Sequence, residues 1–506
     1  MTDLVGPAGA LSPEVVRDLP GARRHCAGVL ADLRAGLTCV WLFPDAEVAS
    51  HRADRAVDEV IHDLDDVVDV PGKETAPRLA PVAALPEARS SREPLGTGGG
   101  PGGHRFEDAF DVDDGFGGWD PFGVFGSGGF QPSEAATPAP TVDGRLAEGP
   151  DIDVDARFAE GPDIDVAARL ARSLGSDGDL VSELVGTADG RALVLVIRAW
   201  TEADPHAVSR LLRRFQAAVK EAGLKPSDRP RLLVASRLQD LETDTIGLLD
   251  GTVSRPHWWW GVWNHLDTAT VVADAIPHPG FGQAHNRMTP TKLIQHALRR
   301  EIVVQTAGPD LGLAVELARA WNGRIGDLAS ALRGCCLVDD AGEPGSQGRG
   351  TPGAAYAPLP ENGLREAWSA GLVDSWEGQI RHSPRSGGAA LDKLVWQAQN
   401  RVLLPLIDDA RVGFVELLPR IAVRGVTRLV NTYVRQSLRG ANGSSADLAS
   451  MELGELYDAA VHRDITLTDE QFGRLRTLRR ARNKLAHRTP IDDALLQDLL
   501  DALTGF

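Results

Sequence analysis

Residues 37–43, LTCVWLF, form an unbroken apolar run between Gly36 and Pro44, the pattern of a strand buried on both faces. A helix is expected to follow over about 46–64. Runs at 192–197, ALVLVI, and 231–236, RLLVAS, predict two further strands. The helix between them is marked at both ends. Asp204 can cap it, Pro205 suits its first turn and Gly223 its stop, while Val208, Leu211, Leu212, Phe215 and Val219 recur at helical spacing. A strand, helix and strand of these lengths make a parallel crossover unit. The stretch 268–276 is expected to add a strand, and 289–333 to form amphipathic helices lying on the sheet as a lid. From Leu391 onward the period is helical. Leu391, Leu394, Val395, Ala398 and Val402 mark one face, with Pro405 expected to kink that helix. Ile421, Val426, Leu429, Val430, Tyr433 and Val434 mark another face, Gly440 and Gly443 break the chain, and a helix is expected at about 451–461. The fold class is therefore an α/β region, with a parallel sheet and crossover helices, followed by an all-α helical bundle.

Composition divides the 506 residues further. From 71 to about 140 the chain is rich in Pro, Gly, Ser and acids and cannot bury enough apolar surface to offset its ordering entropy. This predicts a disordered insert between 1–70 and 141–280, the two parts of the α/β domain. Six of the 13 Phe lie in it: Phe106, Phe110, Phe116, Phe122, Phe125 and Phe130. The insert reads either as a solvated tether or as an acidic-aromatic segment that orders on a protein partner. A twelve-residue unit is then duplicated, RLAEGPDIDVDA at 145–156 and RFAEGPDIDVAA at 157–168. Two copies are fewer than a solenoid needs, and the spacing is not that of a calcium loop. The lid is expected at 281–337, a Gly- and Pro-rich linker at 338–362 and the helical bundle at 363–506.

The charge balance excludes a protein that is basic throughout. Acids outnumber bases 71 to 53, so a nucleic-acid contact needs a local patch. Four cysteines, Cys26, Cys39, Cys335 and Cys336, form no CxxC pair; a disulfide framework or zinc ribbon is not expected, and a reducing cytoplasm is. No signal peptide and no membrane-spanning run are expected.

The α/β half invites a nucleotide reading that its residues do not sustain. No G-x-x-x-x-G-K-[ST] occurs, the first strand runs into Pro44-Asp45-Ala46, and the one GxGxxG, at 98–103, follows no strand. The order of elements resembles the core of a STAND-type or AAA-type NTPase that lacks its phosphate loop. The resemblance implies a regulatory or scaffold domain, not an ATPase; no cofactor is expected, and whether the region binds a nucleotide is open from sequence. Trp258, Trp259, Trp260 and Trp263 crowd PHWWWGVWNH, which reads as a core strand or as a stacking platform. His257 and His265 do not have metal-ligand spacing.

The strongest signal is near the carboxy end. Thr468-Asp469-Glu470-Gln471 is a capping box opening QFGRLRTLRRARNKLAHR. Seven bases and no acid lie between Gln471 and Ile491: Arg474, Arg476, Arg479, Arg480, Arg482, Lys484 and Arg488. At about 100° per residue, Phe472, Leu475, Leu478, Ala481 and Leu485 share one face, and Arg476, Arg480, Asn483 and His487 share a polar stripe. Arg482 falls nearer the apolar side, where it needs a partner, which a dimer contact could bring.

Arg482-Asn483-Lys484-Leu485-Ala486-His487 resembles the R-x4-H motif of HEPN domains, including the polar residue that often follows the arginine. The resemblance covers about 391–506. It implies a bundle of four or five helices that dimerises so that facing Arg and His residues make a metal-independent endoribonuclease, as in toxins and effectors of bacterial anti-phage and other conflict systems. Some members only bind. Carried onto this chain, the catalytic candidates are Arg482, Asn483 and His487, and the RNA-binding candidates Arg476, Arg479, Arg480 and Lys484, with no metal. Histidine can act as base or acid near neutral pH, and arginine can stabilise a charged phosphorane. Cleavage, RNA binding without cleavage, and a purely structural scaffold role, with the bundle as a dimerisation module, remain open from sequence.

Overall fold

The computed structural model describes residues 19–69, 166–173, 179–186, 193–202, 204–277, 289–336, 359–386, 391–434 and 445–504. The insert expected at 71–140, the duplication at 145–168 apart from its last three residues, most of the linker expected at 338–362, and Gly440 and Gly443 lie outside them.

Five parallel strands form one sheet: β1 (Thr38–Leu42), β2 (Val67–Asp69), β3 (Val194–Arg198), β4 (Arg231–Ser236) and β5 (Ser254–Trp258), in the order β2-β3-β4-β1-β5. β1 is buried along its whole length, with Trp41 opposite Ala235 of β4 and His257 of β5. Around the sheet lie α1 (Pro20–Arg34), α2 (Asp45–Ala49), α3 (Arg52–His62), α4 (Val166–Ser173), α5 (Leu180–Gly186) and α6 (Pro205–Ala222). α6 has the ends its sequence predicts: the Asp204 carboxylate accepts from His206 N–H, and Gly223 closes it at φ 61°. The single helix expected over 46–64 is instead α2 and α3, divided at His51, which turns to φ 57°.

The stretch 268–276, expected as a strand, lies in a helix, α7 (His265–Ala275). Its β-branched residues are outweighed by a capping box. Asn264 accepts from the N–H groups of Leu266 and Asp267, and the buried Asp267 carboxylate accepts from Asn264 N–H and from Gly21 N–H of α1. The fifth strand is 254–258, and its Pro256 is tolerated because β5 is at the sheet edge.

α8 (Pro290–Ala307), α9 (Leu311–Ala320) and α10 (Leu328–Cys335) follow, then α11 (Arg365–Ser369) and an antiparallel hairpin of β6 (Val373–Trp376) and β7 (Gln379–His382). Glu377 and Gly378, at φ 51° and 75°, make its two-residue turn. The bundle consists of α12 (Leu391–Ile421), α13 (Val426–Tyr433), α14 (Leu453–Val461), α15 (Asp469–Ala486) and α16 (Asp493–Thr504). Pro405 does not end α12.

Two cores result. One fills the sheet and its helices and takes in Trp368 of α11; the other joins α8 and much of α9 to the bundle. Trp258, Trp259, Trp260 and Trp263 are all buried in the first core. Trp258 meets Trp368 edge-on, and Trp368 Nε1 donates to the Trp259 carbonyl. The tryptophan run therefore seats α11 on the sheet. No described helix is long and apolar enough to cross a membrane.

Candidate nucleic-acid interface

α15 is built as its pattern predicts. Thr468 Oγ1 accepts from Gln471 N–H and Gln471 Oε1 from Thr468 N–H. Leu475, Leu478, Ala481 and Leu485 are buried, while Arg476, Arg480, Asn483 and His487 are all exposed. His487 terminates the helix, its N–H donating to the Asn483 carbonyl.

The segment after His487 is pinned from α12. Trp396 Nε1 donates to the Leu485 carbonyl at 2.6 Å. The fully buried Gln399 donates from Nε2 to the Ile491 carbonyl and accepts from Ile491 N–H at Oε1, both at 2.7 Å. Lys484 Nζ reaches Asp492 Oδ2 at 2.9 Å, and Asp492 also accepts from Leu495 N–H at the start of α16. The Leu495 N–H and then Lys484 hold the Asp492 carboxyl below its ordinary range.

The candidate cations thus divide. Arg476 and Arg480 project to solvent. Arg479 lies 4.4 Å over the ring of Tyr457, which stacks on Phe472, and Lys484 is in the ion pair just described. These contacts make Arg479 and Lys484 part of the bundle's own packing as well as candidates for phosphate.

Arg482 is half-exposed, and its counter-charge, Glu452, is 3.9 Å away. Arg482 and Ala486 border a groove of about 580 Å³ between α12, the start of α14 and α15. From α12 come Asn400, Arg401, Leu404, Asp408 and Arg411. Arg401 and Arg411 carry no local signal in the sequence, because Arg411 and Arg482 are 71 positions apart and no motif joins them. Arg411 is locked: Nε is 2.7 Å from Asp408, and NH1 donates to the carbonyls of Ala449 and Met451. Asn483 and His487 stand on the neighbouring stripe of α15, outside the groove lining.

The carboxyl end of the sheet, where open α/β folds take ligands, is arranged differently. Asp45 and Glu47 occupy the first turn of α2 directly after β1, and Glu47 is paired with Arg52 at 2.7 Å. Arg237, after β4, is bidentate to Asp240. Arg198, ending β3, meets Asp58 and Asp69 at 2.6 Å each. Every arginine named at this edge already has an acid. Among the described residues no group of three or more His, Cys, Asp and Glu is arranged to hold a metal.

No family model, curated protein or solved structure matches the chain.

Proposed function

We propose that the bundle is a dimeric, metal-independent endoribonuclease module of a cytoplasmic conflict or defence system, governed by an α/β region that does not use a nucleotide. The observation that carries this reading is the exposed stripe Arg476, Arg480, Asn483 and His487 beside the half-exposed Arg482, on one helix end held rigid by Trp396 and Gln399. RNA cleavage without a metal needs a proton acceptor for the 2′-hydroxyl, a donor for the leaving oxygen and cations for the phosphorane. His487 serves as acid or base, and Arg482 binds the phosphate. Asn483 adds an amide for orientation, and Arg476 and Arg480 extend the track for the RNA backbone. A second copy of the chain supplies the facing Arg and His, as the HEPN resemblance implies. The acids in the first turn of α2 oppose a phosphate there, which supports a regulatory role for the sheet.

A scaffold role is the competing reading. It is favoured by Arg479 and Lys484, two cations engaged within the bundle. Incubating total RNA with the full chain in EDTA, wild type beside His487→Ala, separates the two. Cleavage lost in the variant supports the nuclease. No cleavage, or cleavage unchanged in His487→Ala, supports the scaffold. His487 is exposed, so the variant should fold with a stability change within about 0.5 kcal/mol.

A further inference from the structure

Three arginines border the groove at Arg482, and they are held in three different ways. Arg411 is locked by Asp408 and two carbonyls. Among the described residues, the acid paired with Arg482 is Glu452, at 3.9 Å. Arg401 is held by carboxylates from outside the bundle: NH1 is 3.4 Å from Glu301 Oε1 of α8, and NH2 is 3.3 Å from Glu377 Oε1 in the β6–β7 turn. Both contacts are long for charge-assisted hydrogen bonds, which favour about 2.7–2.9 Å.

The two carboxylates are not equivalent. Glu301 is fixed, pairing with His265 Nε2 at 2.9 Å and accepting from Gln305 Nε2 at 3.0 Å. Glu377 is 40% exposed at the tip of a hairpin, so its position follows the hairpin's. The hairpin is tied to the sheet side, where Asp374 Oδ1 accepts from Gly261 N–H at 2.9 Å next to the tryptophan run, and to α8, where Arg381 donates to the Gln305 carbonyl. Arg401 is therefore the groove cation with one fixed counter-charge, Glu301 on α8, and one, Glu377, carried on a hairpin outside the bundle helices.

We propose that Arg401 is a phosphate-binding residue of the Arg482 groove and that Glu377 restrains it, so that displacement of the β6–β7 hairpin frees the NH2 side of its guanidinium for a phosphodiester of single-stranded RNA, while Glu301 keeps the NH1 side. This rests on the RNA reading of the same site. With Glu377 in place, the groove presents a partly neutralised Arg401. With Glu377 withdrawn, Arg401 and Arg482 reach the groove from α12 and α15 and can share one backbone, while Leu404 and Leu453 offer an apolar floor for a base.

The test measures binding of a fluorescein-labelled, mixed-sequence single-stranded RNA to the full chain over a series of salt concentrations, alongside cleavage in EDTA. The variants are Glu377→Gln, Glu377→Asn, Arg401→Gln and the double variant Glu377→Gln/Arg401→Gln. Asparagine tolerates the positive φ of the turn, so Glu377→Asn removes the charge without straining the hairpin. Both Glu377 variants should tighten binding about fivefold at low salt, on the order of one surface charge pair. Arg401→Gln should weaken binding and reduce the salt slope by about 0.7. The gain from Glu377→Gln should vanish in the double variant, which establishes that it acts through Arg401. A gain that persists without Arg401 overturns the switch, as does no gain at all. If either occurs while wild type cleaves RNA and His487→Ala does not, the nuclease reading stands alone. If neither wild type nor the Glu377 variants bind RNA, both proposals fail.

Discussion

Gln399 offers a sharp test of what holds the candidate site. Its amide is buried and exchanges two hydrogen bonds with the backbone of Ile491, itself buried. Replacing it by Leu keeps most of the volume but strands the Ile491 N–H and carbonyl away from water. Each unsatisfied group costs about 1–3 kcal/mol, so Gln399→Leu should destabilise the bundle by about 2–6 kcal/mol. Gln399→Glu should be no better, because a carboxylate can still accept from Ile491 N–H but cannot donate to its carbonyl and adds a buried charge. Urea unfolding followed by circular dichroism gives the loss in stability, and hydrogen–deuterium exchange over 487–496 gives its location. Faster exchange should concentrate there, where the chain leaves His487. Any RNA cleavage should fall in parallel, although no candidate catalytic residue has changed. A loss below about 0.5 kcal/mol with unchanged exchange at Ile491 would refute the reasoning, showing that the segment is held by something other than this pair.

Burial pushes the Asp374 carboxyl up to about 7; the N–H groups of Gly261 and Ser375 oppose the shift and nearby Glu47 adds to it. The folded value exceeds the unfolded one of about 3.9. The native state therefore holds an extra proton, and this group's stabilising contribution is lost as pH rises from about 4 to 7, with no further loss above that. Asp374→Asn retains an oxygen for both N–H donors, so its melting temperature should depend less on pH over that window and exceed wild type at pH 8; parallel profiles would contradict this. Trp368, buried with its Nε1 on the Trp259 carbonyl, should cost about 3–5 kcal/mol on truncation to Ala, read from thermal melts. A loss under about 1 kcal/mol would mean that α11 is not seated by the tryptophan run.

The readable parts of this chain carry their signals locally. β1 lies in an unbroken apolar run and β4 holds LLVA between Arg231 and Ser236, α6 has Asp204 and Gly223 at its ends, and α15 has both its capping box and its two-faced pattern. Where local signals compete, reading fails. The sequence TATVVADAI favours a strand by composition, yet Asn264 and Asp267 cap it as a helix. β2 is three residues long and β5 contains a proline, so neither stands out before its neighbours are known. The hairpin at 373–382 does carry a local signal, a Glu-Gly turn after a short strand in which Val373, Ser375 and Trp376 are buried. At the candidate site the stripe was legible because it follows from one helix's geometry. The groove was not, since Arg401, Glu452 and Arg482 meet only through packing of α12, α14 and α15.

α12 has a mechanical consequence. Its 31 residues span about 46 Å at 1.5 Å per residue. It lies against α8 at one face and carries α15 at another, so it works as a beam through the second core. A proline has no N–H, so Pro405 leaves the carbonyl four residues earlier without its axial hydrogen bond. That carbonyl belongs to Arg401. Pro419 interrupts the axial bonding of α12 in the same way, but the gap left by Pro405 is the one that coincides with the residue facing the groove on one side and Glu301 and Glu377 on the other. A rotation of α12 at that gap would carry the Arg401 side chain with it, while the Gln399 amide, two residues before, ties α12 to Ile491 just beyond α15.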